Sequence, residues 1–292
     1  MKAVFIGNRF GVLEKMLVAG YERVDILAVP DSFLERALLS RSISYTPVEN
    51  RKQLLDLLAE LQFDLLVSNG CPYLLPVSGL DDGRRKFINV HPALLPEHRG
   101  PHAVNAALLY GYGAGASCHL MDDEADSGPV IARVEIPCSA DLDLGLLYQL
   151  SFMAEAEAFD LALARGFRPM EPQPSNGDKS TYFRRGAGAC RLDLDADPEK
   201  ICRQVRAFGI ASQGTEFVCA GRRYRVFDAE IIRNGYLRSK APKYRENEVV
   251  LVYEDALVLK KGDGLIKLKS TPGKLQGIVP GMFLEQPPNS AS

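Results

Sequence analysis

The chain has no tryptophan, only four histidines and only six cysteines among 292 residues. No stretch approaches the roughly 18 consecutive apolar residues that a membrane span requires, so no membrane association is expected. The cysteines (71, 118, 138, 190, 202 and 219) include no Cys-x-x-Cys pair and lie scattered through apolar segments. They read as small, reduced core residues of a cytoplasmic protein, with no metal site expected. A signal peptide is not expected either, because Met1–Gly7 reads as a buried strand ending in a glycine turn. Neither sign of charge dominates: 35 basic side chains face 37 acidic ones, which argues against tight nonspecific nucleic-acid binding. Gly7-Asn8-Arg9-Phe10-Gly11 lacks the Gly-x-Gly-x-x-Gly spacing, and this sets aside an NAD or FAD fingerprint.

What is present falls into two parts. Residues 1–177 carry 15 Lys/Arg and 23 Asp/Glu, a net of −8, whereas residues 178–292 carry 20 and 14, a net of +6. The change coincides with Arg168-Pro-Met-Glu-Pro-Gln-Pro-Ser-Asn-Gly177, where three prolines forbid a continuing helix. The expected division is therefore a first domain over 1–170, a linker over 171–180 and a second domain over 181–292. In the first, apolar runs at 2–7, 24–29, 64–68 and 87–90 alternate with helical patterns, among them the leucine face of 53–61. That alternation predicts an α/β domain with a Rossmann-like parallel sheet. Ligands of such sheets bind beyond the carboxyl ends of the strands, so the loops after Ile6, Ser68 and Val90 should share a crevice. In the second part a capped helix begins at Pro198. Short alternating runs at 217–219, 224–232, 249–253, 256–260 and 265–269 then predict a small antiparallel barrel of the OB-like kind.

The chemistry concentrates in two motifs. Phe87-Ile-Asn89-Val-His91-Pro-Ala-Leu-Leu95-Pro-Glu-His-Arg99-Gly100 ends a strand with two polar side chains that share one face by period-two alternation. Gly115-Ala-Ser117-Cys-His119-Leu-Met121-Asp122-Asp123-Glu124-Ala-Asp126-Ser-Gly128-Pro follows as strand, acidic loop and strand. A single His near a single Asp is commonly a satisfied structural pair. The ordered combination Asn-x-His-x-x-Leu-Leu-Pro-x-x-Arg-Gly, then Gly-x-Ser-x-His and Asp-x-Gly-Pro, resembles the folate-dependent formyltransferase family. The resemblance runs most clearly over 63–136 and more loosely over 1–170. A weaker likeness to the longer, two-domain members extends through Tyr182–Ile232. The family usually has Ser where this chain has Ala93, and commonly Thr where it has Ser117; neither position supplies a reacting group.

The resemblance implies a 10-formyltetrahydrofolate-dependent N-formyltransferase in which Asn89, His91 and Asp126 are catalytic. An amide at Asn89 would offer N–H donors to a developing oxyanion. His91 would relay a proton, with the Asp126 carboxylate orienting it. It also implies folate walls at Gly70, Cys71, Tyr73, Leu74, Leu75, Leu95, Met121, Asp122, Asp123 and Glu124, although plain core packing explains the leucines equally well. Gly70 stands out among them because backbone approaches a ligand closely only without a Cβ. Asn8, Arg9, Arg99 and Gly100 are the acceptor-side candidates, Arg99 because it precedes a helix predicted over His102–Tyr110. His98 and His102 read as bystanders.

The acceptor is read by elimination within the family. The phosphate loop of glycinamide ribonucleotide enzymes is missing after the first strand, and the basic insertion of methionyl-tRNA enzymes is missing after the second. There the chain has only the short, acidic Val29-Pro-Asp-Ser-Phe-Leu-Glu-Arg36. A first domain at −8 also repels a phosphate backbone. The expected partner is a small-molecule amine, most often an amino sugar on a nucleoside diphosphate, and not a nucleic acid. Methionyl-tRNA and a hydroxyornithine-type hydroxylamine of siderophore assembly are the alternatives. A homodimer is left open.

Overall fold

The computed structural model of the chain describes residues 1–170, 173, 181–186 and 188–287. Apart from Gln173, the expected linker therefore lies outside the described residues. The chain divides into two compact units. The first comprises residues 1–104, 113–137 and 148–184; the second comprises 105–112, 138–147 and 185–292.

The first unit is built on β1 (Lys2–Gly7), α1 (Gly11–Val18), β2 (Arg23–Ala28), α2 (Phe33–Ser40), β3 (Thr46–Pro47), α3 (Arg51–Glu60), β4 (Leu65–Asn69), α4 (Val77–Leu80) and β5 (Lys86–His91). After these come α5 (Ala103–Tyr110), β6 (Gly115–Leu120), β7 (Val130–Glu135) and α6 (Leu144–Ala164), with α5 and α6 each crossing the boundary between units. The strands form one seven-stranded sheet in the order β3-β2-β1-β4-β5-β6-β7. Pairing is parallel from β3 through β5 and antiparallel at β5–β6 and β6–β7. The two-residue β3 is too short to leave a sequence signal.

Period-two alternation buries both faces of the sheet. Ala3, Phe5, Leu65, Val67, Ile88 and Val90 pack on one side with Leu13, Met16, Leu34 and Phe159 of the helices. Val4, Ile6, Leu27, Leu66 and Phe87 pack on the other with Leu54 and Leu58 of α3. Each such side chain taken fully out of water contributes about 1.5–3 kcal/mol. Ser32 caps α2 by accepting from the Glu35 N–H at 3.1 Å, and Asn50 caps α3 by accepting from Gln53 N–H at 2.9 Å. These caps stop the β2 and β3 loops short, so only four residues separate β2 from α2.

The second unit adds α7 (Pro198–Ala207), β8 (Thr215–Cys219), β9 (Arg222–Val226), β10 (Asp228–Ile231), α8 (Gly235–Arg238), β11 (Val249–Tyr253), β12 (Ala256–Lys261), β13 (Gly264–Lys269) and β14 (Leu284–Glu285). They pair antiparallel in sheets of order β10-β13-β12-β11 and β14-β8-β9. The run expected at 224–232 divides into β9 and β10, because residue 227 leaves the ladder. Asp197 caps α7, with proline in the first turn. No helix among the described residues is long and apolar enough to cross a membrane.

Candidate active site

The site grows from the antiparallel register of β5 and β6. Asn89 pairs with His119, and His91 pairs with Ser117. Two-residue spacing on each strand then sets Asn89, His91, Ser117 and His119 on one face. Ser117 is fully buried and braces the loop after β5: its hydroxyl donates to the Ala93 carbonyl at 2.7 Å and accepts from the Leu95 N–H at 2.9 Å.

The loop 121–129 folds back to bring Asp126 into this group. Asp126 Oδ1 accepts from Asn89 Nδ2 at 3.0 Å and lies 3.5 Å from His91 Nδ1 and 3.6 Å from His119 Nε2. Its Oδ2 accepts from the Gly100 N–H at 2.9 Å. Burial by itself would raise the Asp126 pKa. The His91 and His119 rings, whose protonated forms attract the carboxylate, and the Gly100 amide outweigh it and hold the carboxyl well below the usual range. Asp126 is thus an anion with φ of 55°, a left-handed conformation uncommon outside glycine and asparagine-like residues.

The hydrogen-bond network assigns the tautomers. His91 Nε2 lies 2.9 Å from the His98 carbonyl and must donate to it, which leaves the Nδ1 lone pair toward Asp126. Burial pushes the His91 pKa down; Asp126 and the His98 carbonyl offset part of this, while His119 and Arg9 add to it. His119 Nδ1 donates to the Leu120 carbonyl at 2.7 Å, so its Nε2 accepts from Asn89 Nδ2 at 3.1 Å. Both amide protons of Asn89 are therefore engaged, one on His119 and one on Asp126. The reversed amide would set its oxygen against the carboxylate. Sequence alone gives His119, within the second motif, no role, because its partner across the sheet is set only by the β5–β6 register.

Of the residues read as folate walls, Cys71, Tyr73, Leu75 and Met121 come together on the second face of the sheet. Cys71, Tyr73 and Met121 are half-buried against the cluster that contains Leu75. Leu75 and Leu95 are buried, whereas Leu74 is 52% exposed and its carbonyl accepts from Arg51 Nε at 2.9 Å. Tyr73 donates its hydroxyl to the Glu49 carbonyl at 2.9 Å. Burial pushes the Cys71 thiol up to about 11. Asp122 accepts from the Ser127 hydroxyl at 2.5 Å and the Glu124 N–H at 3.1 Å. Asp123 accepts from the Ser78 N–H in α4 at 2.9 Å, tying the acidic loop to the segment after Pro76. Gly70 has a protein reason for its lack of a side chain: with φ of 74°, a Cβ there would lie 2.3 Å from Asn8 Oδ1. Among the described residues no group of three His, Cys, Asp or Glu could hold a metal ion.

The basic candidates are engaged within the protein. Arg9 forms an ion pair with Glu155 of α6 and lies 5.0 Å from the Phe152 ring centroid. Glu155 is buried, and burial pushes its pKa up to about 7 despite Arg9. Arg99 is only 7% exposed. Its Nε and Nη2 donate to Gln173 Oε1 at 3.2 and 2.7 Å, so the guanidinium faces Gln173 and not an open crevice.

Residues 14–163 match the formyl transferase family and residues 187–275 match the formyl transferase C-terminal domain. A methionyl-tRNA formyltransferase of Ruegeria pomeroyi is 27% identical over 289 residues, covering 92% of this chain and 91% of that protein. One from Novosphingobium aromaticivorans is 33% identical over 177 residues, which span 60% of this chain and 58% of that protein. Among solved structures, the sugar 3N-formyl transferase WlaRD, determined with dTDP and 5-N-formyl-THF, superposes with a TM-score of 0.69 at 15% identity, over 95% of this chain and 99% of its own. An N-formyltransferase from Helicobacter canadensis, in complex with folinic acid and dTDP-3-aminofucose, gives 0.69 at 16% identity over 92% and 98%. At those identities the likeness is one of fold. With both family matches in their expected order along the chain, the protein belongs to the formyl transferase family.

Proposed function

We propose that the protein transfers a formyl group from 10-formyltetrahydrofolate to the amine of a small, nucleotide-linked amino sugar. The observation that carries the formyl-transfer chemistry is the convergence of Asn89, His91 and His119 on the single Asp126 carboxylate at the end of β5. The folate supplies a formyl group already activated on nitrogen. Cys71, Tyr73, Leu75, Leu95 and Met121, with the backbone of 121–126, would hold it: apolar side chains, buried at the leucines and half-buried at Cys71, Tyr73 and Met121, beside a loop of polar backbone suit a flat heterocycle with a hydrogen-bonding edge.

His91, neutral in the resting site, would take the proton of the attacking amine at Nδ1 and return it to the folate nitrogen as the bond from that nitrogen to the formyl carbon breaks. The imidazolium so formed lies beside the Asp126 anion, which stabilises it. One Asn89 N–H stays on Asp126 and fixes the amide; the other, resting on His119 Nε2, is the donor for negative charge developing on the formyl oxygen. Asn8 and Arg9 are the acceptor-side residues in this reading, whereas Arg99 and Gly100 act through Asp126. The proposed domain division, 1–170 and 181–292 about a linker at 171–180, is supported by the gap between the two family matches.

Support for a small acceptor comes from the four-residue β2–α2 connection and from the acidic balance of residues 1–177. The sequence relatives favour a second reading, methionyl-tRNA as acceptor. Turnover of 10-formyltetrahydrofolate against dTDP-amino sugars, methionyl-tRNA and N-hydroxyornithine separates the two, and salt separates them again. A tRNA acceptor loses affinity steeply between low and moderate salt; a sugar nucleotide does not. Asn89→Ala and Asp126→Ala should each lower kcat by about 10²–10³-fold and His91→Ala by about 10²–10⁴-fold. Wild-type turnover by a folded His91→Ala variant removes it from the mechanism.

A further inference from the structure

The turn that presents Asp126 is gripped by a residue from far along the chain. Gln173 Nε2 donates to the Asp126 carbonyl at 3.1 Å and to the Gly128 carbonyl at 2.7 Å. Its Oε1 accepts the two Arg99 N–H groups, which fixes the amide orientation with nitrogen toward the turn. Arg99 is itself clamped. Its N–H donates to the Thr181 carbonyl at 2.8 Å, and its carbonyl accepts from the Phe183 N–H at 2.9 Å. The neighbouring Gly100 N–H holds Asp126 Oδ2. On the imidazole side, Thr181 Oγ1 accepts from the His98 N–H at 2.8 Å, and the His98 carbonyl is the acceptor that sets the His91 tautomer. Gln173 and Thr181 therefore reach both members of the His91–Asp126 couple.

We propose that Gln173 is a positioning residue for formyl transfer, fixing the Asp126 carboxylate against His91 by holding the backbone of its turn. This rests on the reading that Asp126 acts on His91. Asp126 has a left-handed backbone, and side-chain contacts alone leave its peptide free to tilt. With its carbonyl held together with that of Gly128, the peptide plane is fixed, and the Cα–Cβ direction with it. Arg99 completes the device by filling the other side of the Gln173 amide, so that no tumbling of that amide exchanges donor for acceptor.

Gln173→Glu separates positioning from packing. Glutamate keeps, and strengthens, a partner for Arg99, yet it offers the Asp126 and Gly128 carbonyls an acceptor where they need a donor. The full-length wild type, Gln173→Glu, Gln173→Ala and Asp126→Asn are to be compared for kcat and KM with 10-formyltetrahydrofolate, using dTDP-3-aminofucose and methionyl-tRNA as acceptor probes. Imidazole NMR spectra of His91 and His119 across pH, which need no acceptor, accompany them. The expected result is a near wild-type melting temperature for Gln173→Glu, an about 10²-fold fall in kcat with donor KM little changed, and displaced His91 resonances. In Gln173→Ala the His91 titration midpoint should fall as the Asp126 anion withdraws. Wild-type kcat and unmoved imidazole resonances in Gln173→Glu, alongside an inactive Asp126→Asn, overturn the positioning role alone. A kcat loss that only tracks loss of folded protein, with unmoved resonances, overturns it as well. Wild-type activity in Asp126→Asn instead overturns the catalytic reading beneath it.

Discussion

Alanine at Gly128 would displace the Asp126 turn without altering any group that bonds to a reacting atom. A Cβ at that position lies 2.0 Å from the Leu120 carbonyl oxygen and 2.9 Å from its carbon, whereas real Cβ contacts essentially never fall below 3.0 Å. The obstruction is backbone at the end of β6, where the Leu120 N–H is bonded to the Pro129 carbonyl at 2.9 Å, so it cannot swing aside as a side chain would. The turn must retreat by about 1 Å, and a misplacement of that size typically costs about 10²-fold in rate. Overpacking of this kind destabilises by about 1–3 kcal/mol, which a domain of ordinary stability survives. The measurement is kcat for formyl transfer at saturating donor, paired with thermal melting to establish that the variant is folded. A folded Gly128→Ala protein with wild-type kcat would refute the reasoning, because it would mean that Asp126 need not sit where the Gly100 and Asn89 donors hold it.

Three further outcomes are expected. The buried Glu155 carboxyl, pushed up from 4.5 to about 7, binds its proton more tightly in the folded chain. Its contribution is fully present below about 4.5 and is lost as pH rises through about 7, an amount of about 3 kcal/mol. Urea unfolding of wild type and Glu155→Gln across that window should differ in slope by about one proton, and parallel pH profiles would contradict the burial argument. The folded His91 pKa lies below its ordinary value, so the basic form is present above that midpoint and is lost as pH falls through it. The acid limb of the kcat profile should therefore fall below the usual pH of about 6.5, and a midpoint at or above that value excludes neutral His91 as the base. Ser117→Ala leaves the Leu95 N–H without its acceptor in a buried loop and should cost about 1–3 kcal/mol in chemical unfolding; an unchanged stability would show that the loop finds other partners.

The legible features were those whose causes are local. Apolar runs between helical patterns announce β1, β2, β4 and β5 directly, and Asn89 and His91 must share a face wherever their strand is placed. The β7 edge and the two-residue β3 were less legible, since a sheet neighbour is chosen by pairing and not by the strand's own composition. The same gap explains His119, whose place opposite Asn89 depends on a register between strands 30 residues apart. Arg99 shows the limit most clearly. Its sequence position before α5 suggested an exposed anion site, but Gln173, 74 residues onward, occupies the guanidinium. Gly70 teaches the converse: the need for a bare Cα was legible, whereas the crowding atom, the Asn8 amide oxygen, was not.

The ladder between β5 and β6 separates two design problems that an enzyme usually solves together. Spacing among Asn89, His91 and His119 is written in the β5–β6 register, and the 23 residues joining these strands reach the group through the His98 carbonyl and the Gly100 N–H. Beyond Gly100, that excursion can lengthen, shorten or change its chemical lining while the amide and the two imidazoles keep their distances. The geometry of the group and the chemistry of that segment can accordingly change independently, and grafting residues 101–114 from another formyl transferase onto this sheet should leave the Asn89–Asp126 contact in place.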